Sequence, residues 1–134
     1  MGKQTTWVAT FDGGEARVFR KEAGGALREL ESESLSAPHR AGDAPGEVRA
    51  DGEPKTYSEP MTEAGFVEKV ADRLAGRARS GAFDRLIVAA GPKALGEFRK
   101  VAPDPLREKI VAEVDKDHVH TPVKQLEQAL SDHL

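Results

Sequence analysis

Five apolar residues in succession, Leu86-Ile87-Val88-Ala89-Ala90, run directly into Gly91-Pro92-Lys93. An unbroken apolar run offers no polar face to water, so it reads as a strand covered on both sides and lying inside a sheet. Gly91-Pro92 then opens a helix, because Pro at the first helical position gives up an N–H that would have no intrahelical acceptor. Leu95, Phe98 and Val101 recur at three-residue steps and form that helix's buried stripe. Pro103 and Pro105 end it, and Glu108 to Asp115 carries Ile110, Ala112 and Val114 at alternate positions, the pattern of a last strand. If both strands belong to one sheet, the helix between them makes a right-handed crossover and the strands are parallel.

Upstream of this unit, Phe66, Val67, Val70, Ala71, Leu74 and Ala78 fall on one helical stripe. Thr62 is placed to cap that helix before Glu63, and Gly81 follows its basic last turn, Arg77 and Arg79. At the amino-terminal end, Trp7, Ala9 and Phe11 share one face and Val8 takes the other, predicting a half-buried strand from Thr6 to Phe11. Asp12-Gly13-Gly14 predicts a hairpin turn in which Gly accepts a positive φ, with Glu15 to Lys21 returning. A second turn at Gly24-Gly25 leads into one edge strand from Leu27 through Leu30 to Leu35, its Glu29, Glu31 and Glu33 turned to solvent. Residues 36–62 hold four Pro and three Gly and read as a long loop. Thr121-Pro122 starts a closing helix whose apolar side is Val123, Leu126, Ala129, Leu130 and Leu134.

The expectation is an α/β domain spanning residues 1–134, with a mixed sheet of about five strands in the order three strands, loop, helix, strand, helix, strand, helix. That order is ribonuclease H-like. Composition agrees with a single domain: Leu, Ile, Val and Phe number only 28 of 134 residues, so the core is thin and Ala-rich. The formal net charge of −3 supplies no global positive field towards nucleic acid or anionic lipid. Without Cys there is no disulfide, thiol nucleophile or Cys-held metal. MGKQTT lacks the apolar core of a signal peptide, and no apolar run could span a bilayer. The expectation is a soluble cytoplasmic protein without membrane contact.

Few residues point to chemistry. Asp12, at the end of the first strand, sits where ribonuclease H-like nucleases place a metal-binding carboxylate. Two-metal hydrolysis, however, needs several carboxylates around ions roughly 4 Å apart. The central run ends in Ala89-Ala90-Gly91, and Asp84 lies at its opposite end, so Asp12 reads as a turn former. Asp115, Asp117, His118 and His120 form the densest group of metal-ligand types. Alternation on an extended backbone would turn the two His away from the two Asp, which leaves His118 and His120 as a bare pair. No phosphate-cradling loop and no dinucleotide fingerprint occurs, so no cofactor is expected. Gly91-Pro92-Lys93 could offer an anion the open N–H groups of a helix start. Arg73, Arg77, Arg79, Arg85, Lys93, Arg99, Lys100 and Arg107 could form a basic face, although Glu68, Asp72, Glu97 and Glu108 are interleaved with them.

Phe83-Asp84-Arg85-Leu86-Ile87-Val88-Ala89-Ala90-Gly91-Pro92-Lys93-Ala94-Leu95-Gly96, followed by Phe98-Arg99, resembles the bacterial host attachment protein family. Trp7-Val8 with Ala16-Arg17-Val18-Phe19 resembles that family's opening hairpin, Asp43-Ala44-Pro45-Gly46 its loop motif, and Asp117 through Thr121-Pro122 to Leu126 its closing segment. Glu47 replaces the Arg that usually follows the loop motif, and His118 stands where Leu is frequent. The resemblance implies the fold of the middle domain of archaeal and eukaryotic release factors and of certain ribosomal proteins. The Gly-Gly-Gln of release factors is absent, since Gly13-Gly14 precedes Glu15 and Gly24-Gly25 precedes Ala26. The resemblance implies an RNA- or ribosome-associated ancestry, and the expectation is a non-enzymatic cytoplasmic binding protein, ribosome- or RNA-associated, with Arg85, Lys93, Arg99, Arg40 and Asp43 as contact residues. Two alternatives stand beside it: a protein-interaction factor that supports attachment indirectly, and a metal-dependent hydrolase using Asp12 with Asp115, Asp117 or the His pair. An exposed edge strand also leaves a homodimer open.

Overall fold

The computed structural model describes residues 4–37 and 62–134. In chain order its elements are β1 (Thr6–Phe11), β2 (Glu15–Lys21), β3 (Leu27–Glu29), β4 (Leu35–Ser36), α1 (Glu63–Arg79), β5 (Arg85–Ala90), α2 (Pro92–Val101), α3 (Asp104–Arg107), β6 (Ile110–Val114) and α4 (Val123–Ala129). The strands form one mixed sheet in the order β3-β2-β1-β5-β6, and β4 also pairs with β2. β1 runs antiparallel to β2 and parallel to β5, in a register that sets Thr6 against Arg85 and Phe11 against Ala90. β5 and β6 are parallel, as the crossover rule requires for strands joined through a helix on one face.

The apolar run behaves as its composition dictates. Leu86 to Ala90 are completely buried, with Leu86, Val88 and Ala90 in the core under α1, α2 and α3, and Ile87 in the core under α4. The first core is built on Phe11, Phe66, Leu74, Phe83, Leu95, Phe98 and Leu106. Its aromatic rings meet in tilted pairs, Trp7 with Phe83 at 4.9 Å and Phe11 with Phe98 at 5.1 Å between centroids. The second core joins Val8, Phe19, Leu27 and Ile87 to Leu126 and Leu130.

Helix boundaries follow their predicted signals. Thr62 Oγ1 accepts the Gly65 N–H at 2.9 Å and starts α1. Gly81, at φ +81°, closes it, and the Ala82 N–H reaches back to the Arg77 carbonyl at 3.0 Å. Pro92 occupies the start of α2 with Gly91 as its cap. Pro103 and Pro105 do end α2, but they also begin the short α3, where Pro is tolerated in the first turn, and this places Leu106 wholly in the core.

Three expectations change. β1 is buried on both faces rather than one, because β2 and β5 flank it while α1 and α4 cover it; Thr6 and Thr10 are buried with the rest. The single edge strand from Leu27 to Leu35 is split into β3 and β4 by a 3-10 turn at Glu31–Glu33, which raises the strand count to six. Its acids are not uniformly solvated either. Glu29 accepts from Arg17, and the two oxygens of Glu33 share the Arg77 Nε–H, at 3.0 and 3.1 Å, with Arg73 nearby at 3.7 Å. Docking Glu33 onto α1 needs the chain to turn there, so the strand breaks. Finally, neither Gly13 nor Gly14 takes a positive φ. The hairpin is held instead by Asp12, whose Oδ1 accepts the N–H groups of Gly14 and Glu15, each at 2.8 Å.

Because α4 has only seven residues, the sheet's second face depends on a few side chains. Leu126→Ala should lower stability by about 2–5 kcal/mol, read as a fall in urea midpoint with unchanged slope. A loss under about 1 kcal/mol would mean α4 is only loosely docked.

Candidate functional site

The carboxyl ends of β1 and β5 lie side by side, so the Asp12-Gly13 turn and the Gly91-Pro92 junction meet. Between them is a cleft of about 370 Å³. The starts of α1 and α2 bring Glu63, Val67, Lys93, Ala94 and Glu97 to it, and Asp117 closes the side beyond β6. In sheets of this kind, ligands bind outside the carboxyl ends of parallel strands. The cleft is therefore taken as the candidate site.

Gly13 is needed for this arrangement. A Cβ there would stand 2.5 Å from Cγ and 2.8 Å from Cβ of Glu63, so the absence of a side chain lets α1 start against the hairpin. The Ala37 N–H donates to the Gly14 carbonyl at 2.7 Å. The two described residues bordering positions 38–61, Ala37 and Thr62, therefore both lie at this corner.

Electrostatically the cleft is acidic. Asp12, Glu63, Glu97 and Asp117 line it, and its one lysine, Lys93, is already paired with Glu63 at 3.2 Å. Two of the carboxylates also serve the backbone, Asp12 in its turn and Asp117 through Oδ1, which accepts the Val119 N–H at 3.1 Å. Among the described residues no three His, Asp or Glu approach one another closely enough to hold a metal ion. Glycine as the α2 cap leaves the first-turn N–H groups without a side-chain acceptor, but the surrounding carboxylates oppose an anion there.

The residues singled out by sequence are scattered. Arg85 begins β5 and Lys93 follows its far end, so the sheet separates them. Arg99 bonds Glu113 of β6, with Nη2 at 2.7 Å and Nε at 2.8 Å from the same oxygen. Arg107 donates to the carbonyls of Ala102 and Arg99, and Arg77 and Arg73 face Glu33. Arg73, Arg77, Arg99 and Arg107 are thus engaged by the chain's own carboxylates and carbonyls. His118 Nδ1 lies 3.0 Å from Thr121 Oγ1, while His120 Nε2 lies 3.1 Å from Glu15, so a turn divides the pair. Arg40 and Asp43 lie outside the described residues.

Glu63 and Glu97 were not apparent as site residues. Glu97 had a signal, since it stands four positions after Lys93 and four-residue spacing returns to the same helical face. Glu63 had none, because its place beside Gly13 arises only from the docking of α1 on the hairpin.

A family model described as "Protein required for attachment to host cells" matches residues 7–130. No curated protein matches the chain. Among solved structures, the crystal structure of an archaeal translation termination factor shares the fold with a TM-score of 0.51 and 13% sequence identity, over 96% of this chain and 38% of that one. This chain thus spans well under half of the termination factor's length, and at that identity the likeness is one of fold.

Asp12 supports the hairpin through two charge-assisted bonds, so Asp12→Ala should cost about 1–3 kcal/mol. Asp12→Asn, which keeps the accepting oxygen, should cost less than half of that in the same denaturation measurement.

Proposed function

Starting from the fact that the chain belongs to the family of proteins described as required for attachment to host cells, we propose that it is a non-enzymatic binding protein. Its contact surface is the cleft at the carboxyl ends of β1 and β5, and its partner is a protein that presents basic side chains. The observation that carries this reading is the charge balance of the cleft: four carboxylates line it against one lysine, which pairs with Glu63, while Glu97 lies 3.9 Å from Lys100. Such a site repels a phosphate backbone and attracts Lys or Arg. Val67, Pro92 and Ala94 add an apolar lining for the aliphatic stems of those residues. The absence of a membrane-spanning helix among the described residues is compatible with a partner met in solution.

A second reading, a ribosome- or RNA-associated protein, draws support from the fold shared with a translation termination factor. In that case Arg85, Lys93 and Arg99 would contact phosphate. The two readings demand opposite responses from the cleft. Immobilised full-length protein is exposed to bacterial lysate with and without nuclease, and captured partners are compared across variants. On the protein reading, capture survives nuclease, falls about tenfold for Glu63→Lys/Glu97→Lys, and holds or improves for Lys93→Glu. Capture abolished by nuclease and weakened by Lys93→Glu would replace it with the RNA reading, whose affinity should fall steeply with salt. Thermal midpoints measured alongside confirm that each variant is folded.

A further inference from the structure

Arg17 stands in β2, opposite Thr10 of β1. Alternation puts it on the same face of the sheet as Phe19, whose ring its guanidinium covers at 4.9 Å. It does not line the cleft. Its nitrogens are nevertheless committed to two distant parts of the chain. Nε and Nη2 hold the two oxygens of Glu29, at 3.2 and 3.1 Å, and Nη1 donates to the carbonyls of Val119 and Thr121, at 3.0 and 3.2 Å. Those carbonyls lie 102 and 104 positions further along the chain, in the segment between β6 and α4 that brings Asp117 to the cleft. Val119 is completely buried, and its N–H donates to Asp117 Oδ1 at 3.1 Å. One residue therefore gives its carbonyl to Arg17 and its amide to Asp117. The segment's other tie to the hairpin, His120 to Glu15 at 3.1 Å, joins two exposed side chains and holds little.

We propose that Arg17 is a positioning residue of the cleft: by holding Val119 it fixes Asp117, and so sets the affinity of the cleft for a partner's basic side chains without touching them. The inference rests on the cleft being the contact surface. A guanidinium suits this task because its planar fork serves two carbonyls and a carboxylate together, whereas an ammonium on a flexible stem imposes no such geometry. Glu29 completes the device by orienting the fork from the opposite side. The sign of the effect separates position from field. The positive charge of Arg17, taken alone, weakens the attraction of an acidic cleft for another cation, so a pure field effect makes its removal favourable to binding. Positioning makes the same removal unfavourable, because the Val119 carbonyl is released and the amide that holds Asp117 is released with it.

The isotope-labelled full chain is titrated with an acetylated, amidated tetralysine peptide, and the Gly13 and Gly91 amide resonances report occupancy of the cleft. Asp117→Asn removes the charge and should weaken binding about fivefold. Arg17→Met and Arg17→Lys should each weaken it about threefold or more, although the first deletes a positive charge and the second keeps it. In the Asp117→Asn background both should change affinity by less than about twofold, since the group they position has lost its charge. Thermal midpoints identify the folded variants, and where Arg17→Met does not fold, Arg17→Lys decides. Tighter binding by Arg17→Met overturns the proposal. So does wild-type affinity in Arg17→Lys, or a loss in the Arg17 variants that persists undiminished beside Asp117→Asn. Each of these results leaves the cleft standing as the contact surface so long as Glu63→Lys/Glu97→Lys abolishes the titration. A wild-type chain whose Gly13 and Gly91 resonances do not respond to the peptide overturns both.

Discussion

The parallel pairing of β1 with β5 is the constraint on which the rest of the structure rests. Neither strand can be satisfied alone: β5 has no polar face, and β1 is buried over its whole length. Set side by side, each supplies the other with backbone partners in a place that water cannot reach. The pairing also brings two turns together at the carboxyl ends, each required by its own local chemistry. Asp12 folds back on the Gly14 and Glu15 amides, and Gly91 hands the chain to Pro92. The cleft is the space left between these turns once α1 and α2 have docked.

Charge tells a second story. The chain carries twenty Lys and Arg, yet many of those described are committed to its own groups: Arg17 to Glu29 and to the carbonyls of Val119 and Thr121, Arg77 to Glu33, Arg99 to Glu113. Individually such exposed pairs stabilise little. Their larger effect is on position and field. Arg17 ties the segment after β6 to the hairpin, Glu33 is drawn onto α1, and the cations so engaged no longer project a positive potential. What remains around the cleft is negative, and this directs the functional reading to a partner with basic groups.

The sheet's edges express the same economy in a different form. A strand edge exposes unpaired N–H and C=O groups, and a fold must interrupt it, cover it or use it. The β2 edge is interrupted by the turn that delivers Glu33 to α1. The β6 edge meets no strand but β5 among the described residues and carries the exposed Val111.

The interior strand, the helix starts at Thr62 and Pro92, the stop at Gly81 and the crossover were all legible from sequence, because apolar period, capping residues and proline act within a few positions along the chain. Asp12 as a turn former was legible for the same reason. The full burial of β1, the break between β3 and β4, the meeting of Glu63 with Gly13 and the dispersal of Arg85, Lys93 and Arg99 were not. Each depends on which elements become neighbours across the sheet, and hydrophobic packing is non-directional: it records that a face must be covered, not what covers it. Local chemistry in the chain thus determined the elements and their ends, whereas tertiary structure alone decided which charges neutralise each other and which sign remains at the cleft.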